Sequence, residues 1–126
     1  YAEAVPEDDS ILQVFKNTYP TAEVLLACRE DVTDDGLDDL VVICKMEEGN
    51  RTIVVTDKGD STNYDFSDPI AAPVENQKIQ FKNIDKEGEI EIIITGEKKG
   101  AVGYAIYRMI DGQPVDLFGE GMEDCC

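Results

Sequence analysis

Apolar and polar positions along the chain change their period at Pro20. Before it, apolar residues recur at helical spacing in DDSILQVFKNTYP, which predicts a short helix over residues 10–19, capped by Asp9 or Ser10. After it, apolar runs of strand length alternate with turns. The predicted strands are AEVLLAC, LVVICKM, RTIVVT, NYDF, QKIQFKN, EIEIIIT, GYAIYRMI and PVDLF. Because parallel strands need long crossover connections, the short turns predict antiparallel pairing.

Two acidic segments match each other 52 residues apart in the chain. They are DVTDDGLDDLVVI, residues 31–43, and NIDKEGEIEIIIT, residues 83–95. Each has oxygen-bearing side chains around a central Gly, and an apolar strand follows. The pattern predicts a β-rich α+β fold, in which a short N-terminal helix accompanies an antiparallel sheet of two strand-loop-strand repeats. We expect one domain, with repeats over 23–66 and 77–118 and a flexible tail over 119–126.

The first acidic loop, D-x-T-x-D-G-x-x-D before an apolar strand, resembles the calcium-binding loops of FG-GAP/VCBS-type repeats in integrin-like β-propellers. The resemblance implies meanders shaped like propeller blades, and calcium as a candidate ion. The implied ligands are the side chains of Asp31, Thr33, Asp35 and Asp39 and the carbonyl of Leu37. The second loop has Asn83 and Glu87 in place of aspartates, and we expect no ion there. The alternative is that both loops are acidic turns held by Asx hydrogen bonds without any metal.

Two cysteines flank the first acidic loop. If the flanking strands paired as a hairpin centred on Gly36, Cys28 and Cys44 would lie opposite each other, with nearby Cβ atoms. That placement would allow a cross-strand disulfide. The alternative is two buried thiols, since free cysteine is a common core residue.

Charge narrows the classes of partner and function. The chain has 28 acidic and 11 basic residues, no histidine and a formal net charge of −17. Nucleic acids and anionic membranes need a basic surface, so we expect neither as a partner. No apolar stretch approaches the ~20 residues that span a bilayer. Without histidine there is no Ser-His-Asp or Cys-His machinery, and no Gly-rich phosphate loop is visible, so we predict that the protein is not an enzyme.

The sequence closes on GMEDCC, in which Cys125 and Cys126 are adjacent. Adjacent thiols can exchange with disulfides or chelate a soft metal. The neighbouring Glu123 and Asp124 disfavour thiolate by like charge, which argues against an intrinsically activated nucleophile. A soft cation deprotonates the thiols itself and is attracted by the acidic field. We therefore favour binding of a soft metal ion, with a thiol–disulfide redox partner as the alternative.

An acidic domain of this size that ends in Cys-Cys resembles the Cys-Cys-COOH (seleno)protein family of anaerobic bacteria, which is associated with selenocysteine-assisted handling of organometals. The resemblance implies a non-enzymatic protein that binds or relays a mercury-like metal through Cys125 and Cys126, with a transporter or thioredoxin-like partner. Because the chain begins at Tyr1 rather than Met, we expect a processed, extracytoplasmic protein, secreted or lipid-anchored, and a monomer or weak oligomer. A further alternative is a β-repeat interaction module with calcium-binding-like loops.

Overall fold

The computed structural model describes residues 3–33, 36–60, 63–82, 90–98, 101–110 and 113–116. Over these residues the elements are α1 (Ser10–Thr18), β1 (Glu23–Glu30), β2 (Asp39–Met46), β3 (Gly49–Asp60), β4 (Asn63–Phe66), β5 (Ile70–Ala71), β6 (Glu75–Lys82), β7 (Glu91–Lys98), β8 (Ala101–Ile110) and β9 (Gln113–Asp116). The predicted class, a β-rich fold with one short helix and antiparallel meanders, is confirmed.

The helix begins at the predicted cap. The Asp9 side chain accepts hydrogen bonds from the N–H groups of Ile11 (2.9 Å) and Leu12 (3.1 Å), which would otherwise have no partner at the start of the helix. Ile11, Leu12 and Phe15 are buried on one face. The helix ends before Pro20, as proline cannot continue the hydrogen-bond ladder.

The strands form two separate antiparallel sheets. Sheet 1 has the order β1-β2-β3-β4, with β5 also paired to β3, and sheet 2 has the order β6-β7-β8-β9. The 52-residue spacing relates them: Glu30 lies opposite Asp39 in sheet 1, and Lys82 lies opposite Glu91 in sheet 2. A register shift near the start of β1 also recurs near the start of β6. The repeat seen in the sequence is thus a repeat of strand register.

Two apolar cores divide the structure into layers. One core lies between the two sheets and includes Val41, Ile43, Val54, Ile79, Ile92, Ile94, Ala105, Tyr107 and Met109. The other lies between α1 and sheet 1 and includes Ile11, Leu12, Phe15, Leu40, Val42, Ile53 and Val55. The order is therefore helix, sheet 1, sheet 2. Sheet 1 is covered on both faces, which explains why β2 is buried continuously over residues 39–44.

The predicted hairpin about Gly36 was wrong in its register. Cys28 lies opposite Val41, and Cys44 lies opposite Val24. The physical reason is in the loop, where aspartate side chains bond the backbone and set its path. Strand pairing resumes at Asp39, so the midpoint of the connection falls before Gly36.

Candidate functional site

The first acidic loop joins β1 to β2 and is organised by the carboxylate of Asp39. This side chain is fully buried. Its Oδ2 accepts hydrogen bonds from the N–H of Val32 and the hydroxyl of Thr33, both at 3.1 Å. Its Oδ1 accepts one from the N–H of Asp57 in β3, at 3.0 Å. Asp39 therefore connects the start of the loop to the neighbouring strand.

A second hydrogen bond within the loop involves Asp31. Its Oδ2 accepts the N–H of Gly36 at 2.8 Å. Gly36 has φ +85°, a left-handed conformation that favours glycine. The Asp and Gly of the motif thus build a turn with their own hydrogen bonds, as the metal-free alternative expects.

The structure brings some of the predicted calcium ligands together. Thr33 and Asp39 are bonded to each other, Asp31 faces the backbone of Gly36, and Leu37 is 37% exposed. Asp35 and residues 83–89 of the second acidic segment lie outside the described residues. Among the ranges that the structure describes, no group of three or more His, Cys, Asp or Glu could hold a metal ion. Calcium at the first loop stays a prediction.

In the structure Cys28 and Cys44 are free, buried thiols, which is the arrangement of the buried-thiol alternative. Cys28 belongs to the core between the sheets, and Cys44 to the core under the helix. Burial raises the pKa of each thiol from 9.0 to about 11. At Cys44 smaller opposing effects come from Arg51, which lowers the pKa, and Glu48, which raises it. The two thiols are on opposite faces of sheet 1 and cannot share one ligand.

A buried ion pair in sheet 2 was not predicted. Arg108 Nη2 lies 2.8 Å from Glu91 Oε1, and the Glu91 side chain is 2% exposed. Glu91 begins β7 as Asp39 begins β2, so the repeat places a buried carboxylate at the same register position in both sheets. The alignment of Asp39 with Glu91 in the sequence repeat was the signal that could have predicted a buried carboxylate in sheet 2. That Arg108 lies beside Glu91 follows from the pairing of β7 with β8.

An open cleft of about 690 Å³ lies where the N-terminal segment, β1 and β6 meet. Its lining carries three carboxylates, those of Glu3, Asp9 and Glu30, and the guanidinium of Arg29. Arg29 Nη1 is 3.1 Å from the Asp9 carboxylate that caps the helix. The excess of carboxylates makes the cleft more suitable for cations than for anions.

Fold and site together define a helix-capped, two-repeat antiparallel β protein whose first acidic loop is held by a buried aspartate. Comparison with known proteins found no matching family model, no matching curated protein and no matching solved structure. None of the helical residues described is part of a helix long and apolar enough to cross a membrane. Cys125 and Cys126, the predicted soft-metal ligands, lie outside the described residues.

Proposed function

We propose that this is a non-enzymatic, extracytoplasmic protein that binds or relays a soft, mercury-like metal ion or organometal through Cys125 and Cys126. In this proposal the helix-capped pair of sheets is a scaffold, and a transporter or thioredoxin-like protein exchanges the metal with it. The observation that carries the proposal is the burial of the other two cysteines of the chain, Cys28 and Cys44.

Burial removes Cys28 and Cys44 from thiol chemistry at neutral pH. With a pKa of about 11, about one thiol in ten thousand is ionised at pH 7, and both side chains are fully buried. Because neither sulfur is accessible to a metal ion in solution and the two lie in different cores, neither residue is a practical ligand in the folded protein. The chain has four cysteines. Thiol-dependent binding is therefore left to Cys125 and Cys126.

Charge favours a cation over a thiol nucleophile as the partner of this pair. The net charge of −17 concentrates cations around the protein, and Glu123 and Asp124 precede the cysteines directly. A divalent soft metal replaces the two thiol protons, forms two metal–sulfur bonds and releases two protons. The acidic surroundings that disfavour free thiolates are thus compatible with metal thiolates, since the cation compensates the charge.

Titration of mercuric ion into the reduced protein tests the proposal. We expect sulfur-to-mercury charge-transfer absorbance that saturates at about one metal per chain, as two thiolates satisfy linear coordination by this soft ion. The absorbance should be lost in Cys125→Ser/Cys126→Ser. It should be retained in the matched variant Cys28→Ala/Cys44→Ala, which removes the same number of thiols.

Two results would contradict the proposal. Charge-transfer absorbance that persists in Cys125→Ser/Cys126→Ser would place the ligands elsewhere. A reduced chain that takes up no metal, but forms a reversible disulfide between Cys125 and Cys126, would favour the redox-partner alternative. Counting reactive thiols with and without denaturant checks the basis of the argument, because Cys28 and Cys44 should react only after unfolding.

A further inference from the structure

Sheet 2 has two faces with different surroundings. One face packs against sheet 1 and includes Ile79, Ile92, Ile94, Ala105, Tyr107 and Met109. Side chains alternate between the two faces of a strand, so the intervening residues form a second face, which we call the outer face of sheet 2. Strand register arranges it in rows across the sheet: Lys82, Glu91, Arg108 and Val115 in row 1, Gln80, Ile93 and Ile106 in row 2, Lys78, Thr95 and Tyr104 in row 3, and Glu75, Glu97 and Val102 in row 4, with Ile110 beyond row 1.

The outer face of sheet 2 carries most of the exposed apolar side chains in the described part of the chain. Six large apolar residues are exposed among the described residues, and four of them belong to this face. They are Val102 (80%), Tyr104 (48%), Ile110 (45%) and Val115 (40%). Exposed apolar side chains gathered on one face are typical of a surface that binds a partner.

The repeat relates the outer face of sheet 2 to an interface that the protein already contains. Val41 and Val54 lie opposite each other in sheet 1, and 52 residues later Ile93 and Ile106 lie opposite each other in sheet 2. Val41 and Val54 are buried in the core between the sheets. Ile93 and Ile106 are only half-buried. The face that packs against sheet 2 in sheet 1 therefore recurs in sheet 2 without being fully covered.

The N-terminal helix limits how a second copy of the chain can use this face. The other side of sheet 1, which includes Leu40, Val42, Ile53 and Val55, is covered by α1. A second copy cannot place that side of its sheet 1 on the outer face of sheet 2, because its own α1 lies in the way. It can offer the outer face of its own sheet 2. Contact between two identical faces closes at two chains.

We propose that two copies of the chain form a dimer through the outer faces of their second sheets. The charge of the face permits this contact. Although the net charge of the chain is −17, the face has as many cations as carboxylates. The cations are Lys78, Lys82 and Arg108, and the carboxylates are Glu75, Glu91 and Glu97. At physiological ionic strength the Debye length is about 8 Å, so the charges on the far surfaces of the two copies are largely screened from each other.

The rows of charge favour one of the two possible two-fold arrangements. Row 1 has two cations around Glu91, whereas row 4 has the carboxylates of Glu75 and Glu97 opposite each other. A two-fold axis across the strands places row 1 of each copy over row 4 of the other. An axis along the strands would place the two acidic rows over each other. In the favoured arrangement Lys82 of one copy lies over Glu75 of the other at both ends of the interface.

The size of the face predicts a weak dimer. Four strands at ~4.8 Å spacing, each eight residues long at ~3.3 Å per residue, give a face of about 19 Å by 26 Å, or about 500 Å². Two such faces bury roughly 1,000 Å², which is at the lower limit for specific interfaces. We therefore expect a dissociation constant in the micromolar range. This inference goes beyond the proposed function and does not depend on it, as it concerns sheet 2 whether or not a metal binds.

Sedimentation equilibrium in the presence of a reductant tests the dimer. With rising protein concentration the mean mass should increase from that of one chain to that of two chains and no further. Lys82→Glu and Glu75→Lys should each raise the dissociation constant by about tenfold, because each places like charges together at both ends of the interface. The matched controls Lys45→Glu and Glu48→Lys make the same charge changes on exposed residues at the end of β2 and in the turn after it, and should leave the constant unchanged.

Mixing the two charge-reversed chains tests the arrangement itself. In a mixed dimer of Lys82→Glu with Glu75→Lys, each reversed position lies over a position of opposite charge in the other chain. An equimolar mixture should therefore recover the dissociation constant of the unmodified protein. Failure of the mixture to recover it, although each variant alone is weakened, overturns the proposed arrangement.

Three further results would overturn the proposal. The first is a protein that keeps the mass of one chain at high micromolar concentration. The second is a dimer that tolerates Tyr104→Asp, in a variant shown to be folded by circular dichroism, since Tyr104 lies near the centre of the face. The third is association that continues beyond two chains, or that occurs only without reductant, because neither follows from contact between two identical faces.

Discussion

Replacing Asp39 with alanine is expected to destabilise the fold by about 3–5 kcal/mol. The carboxylate accepts three hydrogen bonds, from the N–H groups of Val32 and Asp57 and from the hydroxyl of Thr33. A hydrogen bond to a charged group contributes about 1.5–3 kcal/mol. The sum of the three hydrogen bonds overestimates the loss, because the Thr33 hydroxyl and the Asp57 N–H belong to half-buried residues and can bond to water instead. The N–H of Val32 belongs to a fully buried residue and would be left without a partner.

Urea unfolding followed by circular dichroism measures this loss. With ~1–3 kcal/mol per molar urea for a small domain, the midpoint should fall by about 2 M. Asp38→Ala is the matched control, as it removes a neighbouring carboxylate that is exposed, and it should change stability by less than about 0.5 kcal/mol. Asp39→Asn keeps the volume but places an NH₂ group against a donor, so we expect an intermediate loss.

Equal midpoints for Asp39→Ala and Asp38→Ala would refute the reasoning from burial and hydrogen bonding. The same experiment in chelator and in calcium examines the ion implied by the loop motif. If calcium stabilised the unmodified chain and not Asp39→Ala, the carboxylate would be an ion ligand in addition to a loop anchor.

Two further predictions concern the cores. Burial raises the pKa of Cys28 and Cys44 to about 11, so between pH ~9 and pH 11 the folded state keeps thiol protons that the unfolded state releases. The free energy of unfolding should therefore be constant with respect to these thiols below pH ~9 and should fall by roughly 3 kcal/mol per thiol as the pH rises through 11. In Cys28→Ala/Cys44→Ala the free energy of unfolding should fall less steeply between pH 9 and pH 11. If it fell as steeply as in the unmodified chain, the buried thiols would not be the cause. A Cβ at Gly96 would overlap Pro73 Cβ and would lie 2.7 Å from Pro73 Cγ and 2.9 Å from the carbonyl oxygen of Glu75, so Gly96→Ala should cost ~1–3 kcal/mol by thermal unfolding. In the background of Pro73→Gly, which removes the Cβ, the cost of Gly96→Ala should be smaller, and an equal cost would show that the strain does not come from Pro73.

Much of the fold could be predicted because its signals are local. The helical face of Ile11, Leu12 and Phe15 and the cap at Asp9 are encoded within a few neighbouring residues. The spacing of 52 residues between matching acidic segments predicted two equivalent meanders, and the structure has them in sheets 1 and 2. The register of β1 with β2 could not be predicted, because the hydrogen bonds of Asp31 and Asp39 determine how the loop returns to the sheet.

The candidate sites divide in the same way. The sequence singled out Cys28 and Cys44 but left open whether they are linked. Pairing decides the question: Cys28 lies opposite Val41, three residues from Cys44 on β2, so the two thiols point to opposite faces. The buried Glu91–Arg108 pair also depends on pairing between strands. Its residues are separated in the chain, and only β7 beside β8 brings them together.

By itself, the sequence determined the helix, the strands, the two-fold repeat and the acidic character of the protein, because these depend on nearby residues or on composition. Tertiary structure alone decided which face of each sheet is covered. Residues 40–44 of β2 are apolar at every position, so the sequence has no alternation of apolar and polar residues to show which side chains face α1 and which face sheet 2. Packing of the three layers makes that choice: it covers both faces of sheet 1, whereas no described layer follows sheet 2 as sheet 2 follows sheet 1.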